Sequence, residues 1–193
     1  MSLVVAILAG GAGLRIGGDK PHRLLGGARL LDHALTHAHV IAAPSILVAR
    51  SPEQVAGFDG TVVLDAPGIE GPLAGLLSAL SWAAAAGADR VLTLACDMPF
   101  LPDDLHHRLE QALTSEVGVA VAASDGRLHP VCALWRTAVV PTLVRRAEEG
   151  RLSLRGLSEA VGCAVVDWPV EGGDPFININ TAEELAVSEA ALG

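Results

Sequence analysis

At 193 residues the chain is long enough to fold as one domain that buries about 70% of its unfolded surface. With 51% hydrophobic residues it is not a disordered chain. A net charge of −9 and an aromatic content of 3% exclude a general nucleic-acid binder, which needs a cationic surface and stacking platforms. The charge is uneven, however. Residues 1–50 hold five basic residues and two acids, a balance of +3, and the remainder therefore carries −12. A positive patch on an acidic protein suits a small polyanionic ligand.

The first predicted element is the apolar run Leu3 to Leu8, a buried strand. It leads into Leu8-Ala9-Gly10-Gly11-Ala12-Gly13-Leu14-Arg15-Ile16-Gly17-Gly18-Asp19-Lys20. Glycines let this backbone turn sharply and bring bare N–H groups up to an anion, and Arg15 and Lys20 add full positive charges. Lys20 is the only lysine among thirteen basic residues. A compact ammonium acts as a point charge on phosphate, which the planar arginine fork does not duplicate. Two common phosphate loops fail here at defined positions. The dinucleotide fingerprint G-x-G-x-x-G would place its third glycine at Ile16. The P-loop pattern fits Gly13 and Gly18 but meets Asp19 where Lys is required, with no Ser or Thr in the position after it. A glycine-rich surface turn without function would explain the glycines, but not the clustered charges or the lone lysine.

Leu30 to Val40 reads as a helix carrying His33, His37 and His39. His33 and His37 share a face, as zinc ligands would, but no glutamate completes H-E-x-x-H, and a solvated or partly packed face is expected. Ser45 to Ala49 is the second strand, Ser51-Pro52-Glu53 opens a short helix, and Thr61 to Leu64 is a third strand ending at Asp65. Gly71 to Ala88 is uncharged over a length that touches the lower limit for a membrane span. It is rich in small residues, and Leu73, Leu76, Leu77 and Leu80 make one stripe, so it is expected to be a core helix starting at Pro72. No membrane segment is expected, nor a signal peptide, since no basic residue precedes the first apolar run.

Arg90 to Ala95 is a fourth, wholly apolar strand that ends in Cys96-Asp97-Met98-Pro99. Pro102-Asp103-Asp104 starts a helix with Leu105, Leu109, Ala112 and Leu113 on its buried stripe and His106-His107 on a solvated side. Alternating helices and continuous apolar strands mark an α/β fold with a mainly parallel sheet covered on both faces. The pattern then changes. Val117 to Ala123 and Val131 to Trp135 flank the turn signal Asp125-Gly126, which predicts an antiparallel element. Helices over Val139 to Glu149 and Leu154 to Ala160 follow, then a strand at Ala164 to Asp167. Phe176 to Asn180 reads as a late extended stretch, and Thr181 and Glu184 as the capping box of a last helix. No repeat or linker interrupts residues 1–193, so one domain is expected. Cys96, Cys132 and Cys163 form no close pair and are odd in number, which points to reduced thiols in the cytoplasm.

In an open parallel sheet, ligands bind beyond the carboxyl ends of the strands. The glycine loop, Asp65, Asp97 and the pair Asn178/Asn180 all fall at such places. Asp97 follows a buried strand and precedes Met98-Pro99, and a pinned hard oxygen ligand near bound phosphates suits Mg²⁺; a turn or capping aspartate is the alternative. Asp65 offers two acceptors that match the N1–H and N2 amino donors of guanine, although loop aspartates often only form turns. Asn178 and Asn180 are the only asparagines and on a strand would share a face. No activated nucleophile is visible. Phosphoryl or nucleotidyl transfer needs none, because positioning and charge neutralisation carry most of it.

At these residues the chain resembles the molybdenum cofactor guanylyltransferase (MobA) family. The loop from Leu8 to Lys20 carries the likeness first. Gly71-Pro72-Leu73-Ala74-Gly75, Cys96-Asp97-Met98-Pro99, His129-Pro130 and Asn178-Ile179-Asn180-Thr181-Ala182-Glu183-Glu184-Leu185 continue it in order over almost the whole chain. The resemblance implies a three-layer, Rossmann-like nucleotidyltransferase fold of the glycosyltransferase-A type. It further implies transfer of GMP from GTP to molybdopterin-bound molybdenum cofactor with release of pyrophosphate. Carried over by residue, it implies nucleotide contacts at Leu8, Ala9, Gly10, Gly11, Lys20 and Asp65, with Asp97 as both nucleotide contact and Mg²⁺ ligand, and Arg15 and Lys20 stabilising charge. Molybdenum-insertion proteins and molybdoenzymes are the implied protein partners. The chain departs from the family pattern in two places. The loop is a residue shorter than is common, and Leu47, Val48 and Ala49 stand where members can carry a nucleotide-contacting asparagine. Gly10 favours the guanylyl branch over a cytidylyl branch that resembles Leu-Ala-Ala-Gly. A non-catalytic nucleotide binder on the same fold and, more distantly, a sugar-phosphate nucleotidyltransferase are the other readings.

Overall fold

The computed structural model describes residues 2–11 and 19–192. In chain order its elements are β1 (Leu3–Leu8), β2 (Leu24–Leu25), β3 (Ala28–Arg29), α1 (Leu30–Val40), β4 (Ser45–Ala49), β5 (Thr61–Leu64), α2 (Pro72–Ala85) and β6 (Arg90–Ala95). The second half adds α3 (Leu105–Ala112), β7 (Val119–Ser124), β8 (Arg127–Arg136), α4 (Val140–Glu148), α5 (Leu154–Val161), β9 (Cys163–Trp168) and α6 (Ala182–Leu192). A short 3₁₀ turn, Pro52–Val55, stands where Ser51-Pro52-Glu53 predicts a helix start.

The main sheet is seven-stranded in the order β5-β4-β1-β6-β8-β7-β9. All neighbours pair in parallel except at β8, which runs against both β6 and β7. Successive residues of a strand point to opposite faces, and in β1 this sends Val5 and Ile7 into one core and Val4 and Ala6 into the other. The first core lies under α1 and α3, with Leu31, Leu105 and Leu109; the second lies under α2, α4 and α5, with Leu73, Leu80, Leu143 and Leu157. Both faces are therefore covered, which is why the strands read as unbroken apolar runs. In α2 the small buried residues Ala74, Gly75, Ala79 and Ala83 accompany Leu73, Leu76 and Leu80, as a core helix requires. Among the described residues no helix is long and apolar enough to cross a membrane.

The predicted hairpin is present. Asp125 and Gly126 sit at φ of 46° and 71°, the two left-handed positions that a type I′ turn demands. β8 is longer than predicted, and its register against β7 jumps. Val121 faces Ala133 while Ala122 faces His129, so residues 130–132 bulge out of the ladder. Pro130 has no N–H to give to a ladder, and bulges are where sheets tolerate it.

Two segments differ from the sequence reading. Leu24-Leu25 and Ala28-Arg29 pair antiparallel around Gly26-Gly27, a hairpin too short to show any periodicity. Phe176 lies in a turn closed by Ile177 N on Asp174 O at 3.3 Å, and residues 177–180 belong to no helix or ladder. Their backbone donors go to separate partners: Phe176 N to Asp174 Oδ1, Ile179 N to Asp97 O, and Asn180 N to Glu184 Oε2. The capping box itself forms as predicted, with Thr181 N donating to Glu184 Oε2 at 2.9 Å and Glu184 N donating to Thr181 Oγ1 at 3.1 Å.

A ring nitrogen of His33 bonds Leu25 O at 2.9 Å, and burial pushes His37 below the ordinary histidine range. His107 is exposed and bonded to Gln111, whereas burial pushes down the partly covered His106, which lies 4.0 Å from Glu110. Among the described residues no three His, Cys, Asp or Glu are grouped to hold a metal ion. Cys96 and Cys132 are buried free thiols pushed up to about 12 by burial, so they serve as core and not as nucleophiles.

Candidate active site

β1 hands over to β4 and β5 on one side, and the chain then returns through α2 to β6 on the other. The carboxyl ends of β1 and β6 thus flank the point where strand order reverses, which is where an open α/β sheet forms its ligand crevice. A cleft opens there, lined by Leu8, Gly10 and Gly11 after β1, Arg50 and Asp65 after β4 and β5, and Asp97 after β6. Gly71, Pro72 and Gly75 of the α2 start, Val131 of the β8 bulge and Asn178 complete its walls. Pro130 has a functional consequence here, since the bulge it forces delivers Val131 to the cleft.

Asp65 is held at the base of this cleft by missing atoms. A Cβ on Gly10 would come within 2.7 Å of Asp65 Oδ2, and one on Gly75 within 3.1 Å of Oδ1. The same Gly75 position would also meet Val48 Cγ1 at 3.4 Å and Leu8 Cδ2 at 3.5 Å. The carboxylate therefore lies against two glycines and an apolar wall. Burial pushes it above the usual carboxylate range, and the nearby Arg50 charge partly offsets this. It is an acceptor pair already stripped of much of its water.

The second cluster sits across the cleft. Asp19, in the left-handed conformation (φ 52°, ψ 39°), turns the chain so that Lys20 is buried at 7% exposure. Lys20 Nζ donates to Asp97 Oδ2 at 2.5 Å and to Asn180 Oδ1 at 2.7 Å. An ammonium has three donors, and two of them are fixed by described residues, which sets its direction. Asp97 is itself anchored from behind, because its carbonyl accepts Ile179 N at 2.9 Å. Mg²⁺ is commonly held by one or two carboxylates together with substrate phosphates and water, not by a protein cage. A single rim carboxylate with one oxygen on Lys20 and a second oxygen besides fits that chemistry.

The structure thus brings Leu8, Gly10, Gly11, Asp65 and Asp97 to one cleft, with Lys20 behind Asp97. Ala9 does not face it: the residue is 1% exposed and spends its N–H on Val48 O at 2.8 Å, continuing the sheet. Arg15 lies outside the described residues, as does the rest of 12–18. Lys20, expected as a point charge on phosphate, is held in a fixed direction by Asp97 and Asn180. Arg50 was not anticipated, although its place just past a strand end was readable. Asn180 gains a definite role as a Lys20 partner, which nothing in its local sequence announces.

The family described as MobA-like NTP transferase domain matches residues 5–164. The molybdenum cofactor guanylyltransferase of Bradyrhizobium sp. (strain ORS 278) is 42% identical over 197 aligned residues, covering 95% of this chain and 90% of that one. The protein of the same name from Cereibacter sphaeroides (strain ATCC 17029 / ATH 2.4.9) is 39% identical over 100% of this chain and 98% of its own length. Among solved structures, molybdopterin-guanine dinucleotide biosynthesis protein A from Archaeoglobus fulgidus superposes with a TM-score of 0.77 over 98% of both chains. At 23% identity that likeness speaks for the fold.

Proposed function

Because the chain belongs to the MobA-like NTP transferase family, we propose that it transfers GMP from GTP to molybdopterin-bound molybdenum cofactor and releases pyrophosphate. The observation that carries this reading is the pairing, in one cleft, of a partly desolvated carboxylate at Asp65 with Asp97, whose carboxylate is held by the oriented cation Lys20. Asp65 accepts from the N1–H and N2 amino group of guanine, an edge that neither adenine nor cytosine presents. Because much of the carboxylate's water is already gone, little further desolvation is needed when the base arrives.

The terminal phosphate oxygen of molybdopterin forms a bond to the α-phosphorus of GTP. The bond from that phosphorus to the oxygen bridging the α- and β-phosphates breaks, and pyrophosphate leaves with the electron pair. Lys20, oriented by Asp97 and Asn180, places its positive charge beside the triphosphate, and Arg15 adds charge from the glycine loop. The Gly10 and Gly11 backbone lets the phosphates approach closely. Asp97 would hold Mg²⁺, which when bound neutralises charge on the phosphates. The cytoplasm is proposed as the compartment on the strength of three free cysteines, with molybdenum-insertion proteins and molybdoenzymes as the proteins before and after it.

The test is direct. The protein is incubated with each NTP and molybdenum-loaded molybdopterin, with and without Mg²⁺, and the dinucleotide formed is identified. A guanine dinucleotide formed only with Mg²⁺ is expected. A cytosine dinucleotide would move the chain to the cytidylyl branch, and no turnover with any donor would leave a nucleotide binder.

Lys20→Arg separates geometry from charge. The buried slot between Asp97 and Asn180 fits an ammonium, and a guanidinium cannot point one donor at each acceptor from the same place. The rate of pyrophosphate release is expected to fall on the order of 10²-fold with charge conserved. Near wild-type release would show that only the charge matters.

A further inference from the structure

The motif His129-Pro130 has so far served only to explain a bulge, yet His129 itself is buried in an organised cluster. Ser124 Oγ donates to Asp174 Oδ1 at 2.8 Å and lies 2.7 Å from His129 Nε2. A serine has one hydrogen, and with it committed to Asp174 the histidine must be the donor at Nε2. The chain of bonds therefore runs one way, from His129 through Ser124 to Asp174. Burial pushes His129 below the ordinary histidine range, which agrees with a neutral ring. Asp174 Oδ1 also accepts Phe176 N at 2.9 Å, and the His129 ring stacks on Phe176 at 4.8 Å and 16°. Trp168 closes the other side of Phe176 edge-on at 5.4 Å.

The residue types invite comparison with a hydrolytic triad, but the order is wrong. In a triad the histidine bridges the acid and the serine; here the serine bridges the other two and is wholly buried. What the cluster grips is the segment that follows Asp174. That segment has no ladder of its own; Ile177 N turns back on Asp174 O at 3.3 Å, and its next anchor to another part of the chain is Ile179 N on Asp97 O. Between and just beyond these anchors stand Asn178, on the cleft wall, and Asn180, on Lys20.

We propose that Ser124, His129 and Asp174 form a clamp whose task is to position residues 176–180, so that Asn178 and Asn180 meet the cleft and Lys20 in register. They are positioning residues, acting through the asparagines and not on substrate. The inference about position stands on the structure alone; its consequence for turnover rests on the proposed guanylyl transfer.

Ser124→Ala removes the central link. Amide hydrogen exchange at Ile179 is expected to speed up about tenfold relative to the β1 amides, which report global opening. Asp174→Asn keeps an acceptor for both Ser124 and Phe176 and is expected to exchange near the wild-type rate. In the transfer assay Ser124→Ala is expected to lower kcat about tenfold, and to have no further effect in an Asn178→Ala/Asn180→Ala background. Unchanged exchange at Ile179 in Ser124→Ala overturns the clamp. A loss that persists in full in the asparagine-free background overturns its route through those residues. If the wild type transfers no nucleotide at all, the functional reading fails while the exchange measurement still decides the clamp.

Discussion

Asp97→Ala is expected to reduce nucleotidyl transfer by a factor on the order of 10³ while the protein still folds, since charge stabilisation at the transferring phosphoryl is usually the largest single contribution. The fold survives because the features that place Asp97 do not depend on its side chain. Its carbonyl still accepts Ile179 N, and Cys96 and Met98 on either side remain buried. The loss to stability comes from Lys20, which keeps Asn180 Oδ1 but loses its anionic partner in a site only 8% exposed. About 1–3 kcal/mol is the expected scale for a group left partly unsatisfied there. Asp97→Asn sharpens the test, because the amide oxygen can still accept from Lys20 while the negative charge is gone. Activity should then fall nearly as far with little change in melting temperature. Pyrophosphate release near the wild-type rate in either variant would remove Asp97 from the metal and phosphate chemistry.

Much of this site was legible because its parts sit where strands end. Leu3 to Leu8, Thr61 to Leu64 and Arg90 to Ala95 show their bounds through composition, and Gly10, Asp65 and Asp97 follow from those bounds. The hairpin at Asp125-Gly126 and the cap at Thr181/Glu184 were equally readable, since each is set by residues a few positions apart. What escaped depends on contacts between distant residues. Phe176-Ile177-Asn178-Ile179-Asn180 has the period of a strand, but its donors find Asp174, Asp97 and Glu184 and no ladder. Lys20 and Asn180 are 160 residues apart, so the orienting bond between them has no local signature. Gly10 and Gly75 looked like a place for phosphate to approach and part of a packed helix start. In the structure both also make room for the same carboxylate.

That shared space underlies the second large effect, in Gly10→Ala. The new methyl would stand 2.7 Å from Asp65 Oδ2, closer than carbon and oxygen can remain, with Oδ1 at 3.3 Å and Cγ at 3.4 Å also crowded. The carboxylate has to move, either toward Gly75 or outward toward Arg50 and water. Both routes misalign an acceptor pair that must face two donors on one base edge. A site that hydrogen-bonds its substrate discriminates through that alignment, so KM for GTP is expected to rise on the order of 10²-fold, with the GTP preference over CTP falling in proportion. Stability should move the other way. Asp65 carries a raised pKa from burial, and such an acid favours the fold fully only below its unfolded pKa, the benefit vanishing as pH rises through the folded value. Releasing the carboxylate to water removes that cost at neutral pH. Replacing glycine also lowers the entropy of the unfolded chain by about 0.4–1 kcal/mol where the backbone is compatible. Gly10→Ala is therefore expected to melt no lower than wild type at neutral pH while binding GTP far more weakly. An unchanged KM for GTP would mean that Asp65 does not read the base.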